Sequence, residues 1–319
     1  QRRWYLVLRL GRVGRRLFIH TYIFTFNSLI FLLIMIKSIS RIELSGIIFA
    51  IFAYLAFSLL DTIQKTLIVY YSVFQILFIK YFFTFFLSFI ESKRKKNKKF
   101  YLTHNWKLQL LRSFLSILES GCFILAFRYL SLADAHSIGA LTPIVVVILS
   151  FIFLKEKISP RIWFAVFTGF IGVLIVMRPG LTVFEPASLI PLAAAFFLGW
   201  YQIVTRKVST KDKNETSLFY AGIVGMLFMG LISFFYWKPI STDFILLFSG
   251  VGVLYSLGVY FQIVALSLAR ASIVQPFHYT LIFWSIIFGF LFYNDIPDMF
   301  TISGAIIIII SGIYIFIKK

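Results

Sequence analysis

The segment SLADAHSIGALTPIVVVILSFIFL (131–154) ends in a long apolar run that contains a single proline, Pro143. A helix of about 20 apolar residues is long enough to cross the roughly 30 Å hydrocarbon core of a bilayer. A similar segment, SLARASI (267–273), begins about 136 residues later in the chain. The apolar run and the recurrence of the short segment that precedes it are the two features from which the fold can be predicted.

The composition of the whole chain is that of a membrane protein. Of its 319 residues, 60% are hydrophobic, 13% are charged and 40 are Phe, whereas soluble domains carry about 25% charged residues. We therefore expect an all-α polytopic membrane protein without a large soluble domain. The single cysteine, Cys122, lies within an apolar run, so there is no disulfide framework. Ten spans are predicted, at about 44–67, 71–90, 106–130, 133–154, 161–178, 187–207, 217–237, 243–267, 271–293 and 299–317.

The net charge of +19 does not indicate a nucleic-acid-binding protein, because the basic residues lie in short loops between apolar spans. Alternate loops are basic, with Lys and Arg concentrated at residues 93–99, 155–161 and 206–213. Cytoplasmic loops of membrane proteins are enriched in Lys and Arg. The pattern therefore predicts that these loops, and both ends of the ten-helix core, are cytoplasmic.

Residues 1–34 differ from the rest of the chain. The stretch QRRWYLVLRLGRVGRR (1–16) is rich in arginine and lacks lysine, and no acidic residue precedes Glu43. An eleventh spanning helix here would put a basic segment on the side opposite to the other basic loops. The sequence favours a start near Met35, with residues 1–34 as an atypical upstream extension or targeting-like segment. An extra peripheral helix is the alternative.

The ten spans divide into two sets of five that are weakly similar to each other. SLADAHS (131–137) resembles SLARASI (267–273), and FTGFIGVLIV (167–176) resembles ISGAIIIIIS (302–311). Because each half contains an odd number of spans, the second copy must have the opposite orientation. The predicted repeats are 44–178 and 187–317. Inverted repeats are typical of carriers in which two halves rock around a site near the middle of the membrane.

Three segments carry a resemblance to a known family. They are LLDTIQKTL (59–67), the hairpin LADAHSIGALTPIVVVILSFIFLKE (132–156) and the hairpin QPFHYTLIFWSIIFGFLFYNDIPD (275–298). The chain resembles the EamA family of the drug/metabolite transporter superfamily in its first helix pair, in an A-x-A…P…GE hairpin and in a PF-x-YT…W…G…F…PD hairpin. The resemblance covers about residues 44–317.

The resemblance implies a carrier for small organic solutes in the inner (plasma) membrane, similar to carriers of S-adenosylmethionine, riboflavin and amino acids. The chain departs from the family pattern at three places. His278 occupies a position where relatives often have an acid. Lys155 stands where a Gly is usual before Glu156, and Asn294–Asp295 replaces the second Gly–Glu pair.

Four charged residues within spans are candidates for the transport path. Asp61 and Lys65 lie one helical turn apart, so they share a face and can pair. We expect them to face the path as a gate or orienting pair, although Lys65 could instead reach the headgroups. A charge at mid-membrane costs at least about 2.5–3.5 kcal/mol unless it is compensated. Lys80, near the middle of the second span, is expected to contact an anionic group of a substrate or to pair with Asp61 or Glu119.

Glu119 is the deepest acid and the candidate proton-binding or cation-binding group, because burial disfavours the charged form of a carboxylate. A permanent ion pair with Lys80 is the alternative. Arg112, seven residues earlier on the same helix face, is expected at the cytoplasmic boundary.

Amide, aromatic and proline residues complete the predicted site. His136 is assigned no chemistry. The amide and aromatic candidates could line a cavity and stack on an organic substrate, although interhelical hydrogen bonds and interfacial anchoring also explain such residues. These candidates are Gln75, Trp200, Tyr201, Gln202, Gln262, His278, Tyr279 and Trp284. Pro143 and Pro276, in the fourth and ninth spans, are predicted hinges.

The chain shows no catalytic or metal-binding constellation and no phosphate-binding glycine loop before a Lys-Ser/Thr pair. We therefore expect no enzyme activity, no cofactor and no metal. The sequence favours a secondary transporter of a small organic metabolite that works by alternating access, coupled to protons or another ion or acting as an exchanger. The alternatives are a flippase-like lipid handler of the same superfamily and a non-transporting assembly subunit. A monomer and a homodimer are both compatible with the sequence.

Overall fold

The computed structural model describes residues 41–96, 98–155, 160–178, 185–269 and 274–317. The chain divides into two compact units, residues 1–44 and 45–319. The helix bundle is the second unit, and in the first only residues 41–44 are described, at the start of a helix. The predicted extension at residues 1–34 lies outside the described residues.

The described chain is built from α-helices and two short 3₁₀ helices. The first half contains α1 (Arg41–Tyr70), α2 (Val73–Arg94), α3 (Trp106–Ala126), α4 (Leu132–Gly139), α5 (Thr142–Leu154) and α6 (Pro160–Met177). The second half contains a 3₁₀ turn (Pro186–Ser188), α7 (Leu189–Val208), α8 (Asn214–Phe235), α9 (Thr242–Leu268), a second 3₁₀ helix (Gln275–Tyr279), α10 (Thr280–Tyr293) and α11 (Met299–Ile317).

Polar side chains begin several of these helices. The Ser72 hydroxyl accepts a hydrogen bond from the backbone N–H of Gln75 at the start of α2, and Asn105 and Ser131 do the same for α3 and α4. Each cap satisfies one of the backbone donors that the first turn of a helix leaves free. The short loops of the sequence are therefore also the points where helices start.

Every predicted span coincides with an apolar helix. Seven helices are long and apolar enough to cross a membrane. Three shorter apolar helices, Phe167–Met177, Phe277–Tyr293 and Met299–Ser311, occupy the places of the fifth, ninth and tenth predicted spans. The described residues contain no strand. The prediction of an all-α polytopic membrane protein with ten spans is confirmed.

The fourth and ninth spans are both interrupted. In the fourth, α4 ends at Gly139 and α5 begins at Thr142, with Pro143 in its first turn. In the ninth, the 3₁₀ helix Gln275–Tyr279 contains Pro276 at its start and leads directly into α10. Proline lacks a backbone N–H and is tolerated in a first turn, where no intrahelical partner is needed. Both predicted hinge prolines therefore lie at the start of a new helical segment, and their motion stays a prediction.

The same two spans end in the same way. Lys155, after α5, and Asn294, after α10, both adopt left-handed backbone conformations, with φ of 55° and 54°. Glycine is the residue that adopts this conformation at least cost, and it commonly ends helices there. This explains why the family pattern has glycine at both positions where this chain has Lys and Asn.

Helices at equivalent positions of the two halves pack against each other. The second span (α2) packs along the seventh (α8), and the fifth (α6) packs along the tenth (α11). At the latter contact the Cα atoms of Gly172 and Gly304 face each other, and a Cβ on either would lie 2.7–3.0 Å from the carbonyl oxygen of the other. This self-packing of equivalent helices is the arrangement expected of two inverted five-helix repeats.

The two ends of the bundle are closed by different groups. At the end that carries the loops 95–105 and 209–213, here called the basic end, Asp212 accepts hydrogen bonds from the backbone and side chain of His104, from Thr103 and from Gln109. Burial raises the pKa of the Asp212 carboxyl, but these hydrogen bonds outweigh it and leave the pKa below the usual 3.8. Asp212 is therefore charged at neutral pH and joins a loop of the first half to one of the second.

The left-handed residue after α5 gives a test of the described backbone. Replacing Lys155 with Gly should raise the free energy of unfolding by about 1 kcal/mol, because a side chain in this conformation costs roughly 1–2 kcal/mol. Asn294→Gly should gain less, since Asn tolerates the conformation better. Thermal unfolding of the purified protein in detergent measures both, with Lys155→Val as the control that should destabilise. A lower stability for Lys155→Gly than for the parent would contradict the backbone assignment.

Candidate functional site

A narrow cavity lies among the helices, with walls from both halves of the chain. Its volume is about 50 Å³. Helices α1, α2, α3 and α4 contribute one wall, and α7, α9, the 3₁₀ helix 275–279 and α10 contribute the other. Its polar and aromatic lining residues are Tyr54, Phe57, Asp61, Gln64, Lys80, Ser116, Glu119, Ser120, Phe123, His136, Tyr201, Tyr255, Gln262 and His278.

Lys80 projects from α2 into this cavity and is buried, with 2% of its surface exposed. Its ammonium nitrogen lies 4.2 Å from the centre of the Tyr255 ring. The Tyr255 hydroxyl is in turn hydrogen-bonded to Ser116, 3.0 Å away, which also meets Tyr81 at 3.3 Å. In the described part of the chain no carboxylate oxygen lies within 4.0 Å of Lys80. Lys80 is thus held by an aromatic face rather than by an acid.

Glu119 lies across the cavity on α3 and is half-buried. Its carboxylate accepts a hydrogen bond from the Ser120 hydroxyl at 3.0 Å. No basic nitrogen of the described residues lies within 4.0 Å of it. The predicted alternative of a permanent ion pair between Lys80 and Glu119 is therefore not formed, and the two charges share a cavity without touching.

Asp61 also lines the cavity, but it does not pair with Lys65. Its carboxylate lies 3.1 Å from Nε2 of His136 on α4, which is within ion-pair distance. The geometry is not that of a hydrogen bond, because the ring nitrogen does not point at the carboxylate. The His136 ring is stacked on Phe123, with centroids 5.5 Å apart. The predicted Asp61–Lys65 pair is wrong because each side chain meets an oppositely charged or polar partner on another helix. His136, to which the sequence assigned no chemistry, is part of the site.

Lys65 closes the end of the bundle opposite to the basic end, here called the far end. Its ammonium group lies 2.6 Å from the Asp295 carboxylate and 4.9 Å from the centre of the Tyr293 ring. The Tyr293 hydroxyl donates to the backbone oxygen of Thr62 and meets the Thr66 hydroxyl at 2.7 Å. These contacts join α1 to the hairpin between α10 and α11. Lys65 is therefore not part of the cavity lining.

Several lining residues have polar atoms that are buried without a hydrogen-bond partner in the described structure. These atoms are the hydroxyls of Tyr54 and Tyr201, Nε2 of Gln64 and both ring nitrogens of His278. Tyr54 and His278 meet edge to face, with ring centroids 5.2 Å apart. A buried polar group that lacks a partner costs about 1–3 kcal/mol. The concentration of such groups in one cavity marks it as a place where a solute could supply the missing partners.

The structure brings together only part of the predicted set. Tyr201, Gln262 and His278 line the cavity with Lys80, Glu119 and Asp61. The remaining amide and aromatic candidates do not belong to the described lining: Gln75, Trp200, Gln202, Tyr279 and Trp284.

The residues outside the cavity have structural contacts instead. The Gln75 amide bonds both backbone groups of Lys238 and so fixes the α8–α9 loop at the far end. Trp284 stacks on Phe288 one turn later, with centroids 5.8 Å apart. Gln202 and Tyr279 are buried on helix faces that turn away from the cavity. The type of a residue does not reveal which way its side chain points, because the packing of the helices decides that.

Tyr54, Phe57, Gln64 and Tyr255 line the cavity but were missed from the sequence. On α1 the spacing 54, 57, 61, 64 is a signal that could have found three of them, because steps of three and four residues trace one face of a helix. On α9 the residues 255, 259 and 262 follow the same rule. Arg112, expected at the cytoplasmic boundary, is completely buried among helices.

Comparison with known proteins agrees with this architecture. The EamA-like transporter family matches the chain twice, at residues 44–178 and 186–317. The two matches correspond to two similar halves, each with five predicted spans. The chain belongs to the EamA-like transporter family.

Characterised relatives carry different solutes. The riboflavin transporter of Vibrio cholerae is 30% identical over 67% of this chain and 72% of its own length. The S-adenosylmethionine uptake transporter of Rickettsia conorii is 27% identical over 85% of this chain and 92% of its own length. The pseudopaline exporter CntI of Pseudomonas aeruginosa is 24% identical over 64% of this chain and 72% of its own length. These similarities support small-metabolite transport in general.

A solved crystal structure has the same fold. It superposes with a TM-score of 0.64 at 13% sequence identity, covering 85% of this chain and 96% of the other. At this identity the likeness concerns the path of the helices alone.

The far-end ion pair can be tested separately from the cavity. Lys65→Asp and Asp295→Lys should each lower the stability of the protein, and the double exchange should restore it, because opposite charges again face each other. The coupling energy should be about 0.5–1 kcal/mol, as for partly exposed pairs. A double-mutant cycle of unfolding in detergent measures it. Additive effects of the two substitutions would show that the pair does not form.

Proposed function

We propose that this protein is a secondary transporter that moves a small organic metabolite across the inner (plasma) membrane by alternating access. The observation that carries the proposal is the cavity at the junction of the two halves, in which the buried Lys80 and the half-buried Glu119 are not paired with each other. A charge inside a membrane protein is costly unless it is compensated. Two opposite charges that share a cavity without an ion-pair partner are suited to a solute that pairs with them when it binds.

The lining favours a solute with both charged and planar parts. Lys80 could contact an anionic group, while Glu119 could contact a cationic or hydrogen-bond-donating group. Tyr54, Phe57, Tyr255 and His278 could stack on a flat ring. Amino acids, amines, nucleoside-like and vitamin-like solutes meet these requirements, and riboflavin and S-adenosylmethionine are the first compounds to test.

The closures at the two ends fit alternating access. At the far end Lys65, Tyr293 and Asp295 join the two halves, and at the basic end Asp212 joins them through His104 and Thr103. In carriers built from inverted repeats, one half rocks against the other around a fixed central site. Opening one end requires one of these sets of contacts to break while the other holds. The basic end is proposed to face the cytoplasm.

Coupling to protons is supported by the groups around Asp61. The Asp61 carboxylate and the His136 ring lie 3.1 Å apart on different helices of one half, and Glu119 shares the cavity. Asp, Glu and His side chains within membrane spans form the proton relays of pumps and transporters. Proton binding here would change the charge of the cavity, and with it the affinity for a charged solute.

Two other functions are less well supported. A lipid handler should expose a long basic groove to the bilayer. The groove at Phe78, Phe82 and Trp237 has no charged residue in its described lining, and the groove that holds Arg128 and Lys238 lies at the turn between α1 and α2. A purely structural subunit should pair its internal charges, and Lys80 and Glu119 are not paired.

Removing either cavity charge should abolish transport. Lys80→Ala and Glu119→Gln should each reduce solute uptake to the background of empty vesicles, because the solute loses the group that compensates its charge. Purified protein in proteoliposomes, supplied with riboflavin, S-adenosylmethionine and a panel of amino acids, measures this. Lys207→Ala is the matched control, since it removes a lysine that is exposed at the end of α7. Full uptake in both cavity variants would rule out the proposed site.

The proton-coupling proposal has its own test. Asp61→Asn should abolish the stimulation of uptake by a pH gradient while leaving solute exchange without a gradient within about a factor of three. The asparagine keeps the size and hydrogen-bonding capacity of the side chain but cannot take up a proton. Uptake by the variant that still responds fully to the gradient would exclude Asp61 as the coupling group.

A further inference from the structure

Arg112 is a buried cation between the cavity and the basic end. It lies in the second turn of α3 and is among the largest side chains that are completely buried. Its Nε donates to Oε1 of Gln109 at 3.2 Å, and one terminal nitrogen donates to the backbone oxygen of Ser217 on α8. The other terminal nitrogen, Nη1, is buried without a hydrogen-bond partner in the described structure. Part of the guanidinium is thus left unused by the fold.

No acid neutralises this guanidinium directly. In the described part of the chain no carboxylate oxygen lies within 4.0 Å of Arg112. Asp212 is separated from it by the Gln109 amide, which donates to Asp212 at 2.8 Å and accepts from Arg112. Asp212 also receives hydrogen bonds from Thr103 and His104. A buried charge that keeps only neutral partners is costly, so its retention calls for a purpose beyond packing.

Two further polar groups without partners lie beside Arg112. The centre of the Tyr201 ring is 5.8 Å from the guanidinium carbon. The hydroxyl of Tyr201 and that of Thr205, one turn further along α7, are both buried without a hydrogen-bond partner. Tyr201 is 3% exposed and Thr205 is completely buried. Nη1 of Arg112 and the two hydroxyls therefore meet in one place. Tyr201 is close enough to interact with both Arg112 and Thr205, but none of the three groups has a partner at full hydrogen-bond geometry.

This cluster continues the lining of the cavity towards the basic end. On α3, Arg112, Ser116 and Glu119 follow each other at steps of four and three residues, so they share a helix face. Ser116 and Glu119 line the cavity, and Arg112 lies about 10 Å from Glu119 along the axis, at 1.5 Å per residue. On α7, Tyr201 lines the cavity and Thr205 is the next residue on the same face. Tyr201 thus separates the cavity from the cluster.

We propose that Arg112, Tyr201 and Thr205 form a second binding station, which receives an anionic group of an organic solute between the central cavity and the basic end. The station rests on the proposed transport function and adds a step to it. The carboxylate or similar group that Lys80 holds at the centre passes the Tyr201 ring and is then held by the free guanidinium nitrogen and the two hydroxyls. A hydrogen bond from a charged guanidinium nitrogen to a carboxylate is stronger than one between neutral groups.

A purely structural role would account for only one side of the Arg112 guanidinium. Its bonds to Ser217 and Gln109 join α3 to α8, but they do not involve Nη1. Arg206 on α7 provides a natural comparison, because its Nη1 donates to the backbone oxygens of Leu266 and Ser267 and so joins α7 to the end of α9. The two arginines share the function of bonding carbonyl groups of another helix. Only Arg112 has unpartnered hydroxyls beside it.

The charge preference of the station can be measured with thiol probes, without knowledge of the transported solute. Thr205→Cys is introduced into a chain in which the only cysteine is removed as Cys122→Ser. Membrane vesicles of both orientations are treated with anionic sulfonatoethyl methanethiosulfonate or with cationic trimethylammonioethyl methanethiosulfonate. We expect labelling from the basic-end side, with the anionic probe about tenfold faster than the cationic one, as a local positive potential produces. Adding Arg112→Gln should remove this preference.

The controls separate charge recognition from folding. Arg206→Gln removes an arginine that also bonds carbonyl oxygens, and it should leave the tenfold preference unchanged. Tyr201→Cys provides a second reporter on the same face if Thr205→Cys does not fold. The reaction is run in potassium chloride and in potassium gluconate. A preference lost only in chloride would show that the site holds an inorganic anion, which would overturn the assignment.

Three other outcomes would also overturn the station: no labelling from either side, equal rates for the two probes, or a preference that survives Arg112→Gln. Because no transported solute is used, the result is independent of the uptake assay. Loss of the charge preference with intact, Lys80-dependent uptake would remove the station and leave the transporter. An intact charge preference without uptake of any solute would support the station and contradict the proposed transport function.

Discussion

The compensation of charge in a bundle that is surrounded by hydrocarbon is the constraint on which the rest of this structure depends. Water cannot solvate a lysine or a carboxylate at this depth, so each such group must meet an opposite charge, an aromatic face or hydrogen-bonding groups from the protein. Lys65 meets Asp295, Asp61 meets His136, and Lys80 lies over the Tyr255 ring. The kind of compensation differs between the two places. The Lys65–Asp295 ion pair lies at the far end, whereas Lys80 in the cavity has only the weaker contact with an aromatic ring.

Both halves of the chain contribute helices to the packing between the halves and to the lining of the cavity. Equivalent helices pack against each other at α2 with α8 and at α6 with α11. Most of the cavity lining comes from α1, α3, α7 and α9, and α2 adds Lys80. The fourth and ninth spans are interrupted near the same depth, and both end in a left-handed residue. Interrupted helices at membrane depth are tolerated where they line a cavity or are covered by protein. His136 on α4 and His278 beside α10 both reach the cavity from these interrupted spans.

The sequence predicted the general fold well and the site only in part. The helices and their arrangement could be predicted from three features: ten apolar runs, alternately basic loops, and a repeat that contains an odd number of spans. Lys80 and Glu119 were found because a charge within a long apolar run is conspicuous. Gln75, Gln202, Tyr279 and Trp284 were candidates of the same residue types as the true lining, but their helix faces turn elsewhere. Tyr54 and Tyr255 were missed because an aromatic residue in an apolar span carries no such signal.

What the sequence by itself determined is therefore the solvent of the protein, the number and type of its helices and the presence of isolated charges, since these follow from local composition and spacing. Only the tertiary structure decided which charges meet. Asp61 and Lys65 lie one turn apart in the chain, yet one turns to His136 in the cavity and the other to Asp295 at the far end. The partners lie 75 and 230 residues away, and only the packing of helices brings them within ion-pair distance. The same packing buries Arg112 completely, which its position near the start of a span does not reveal.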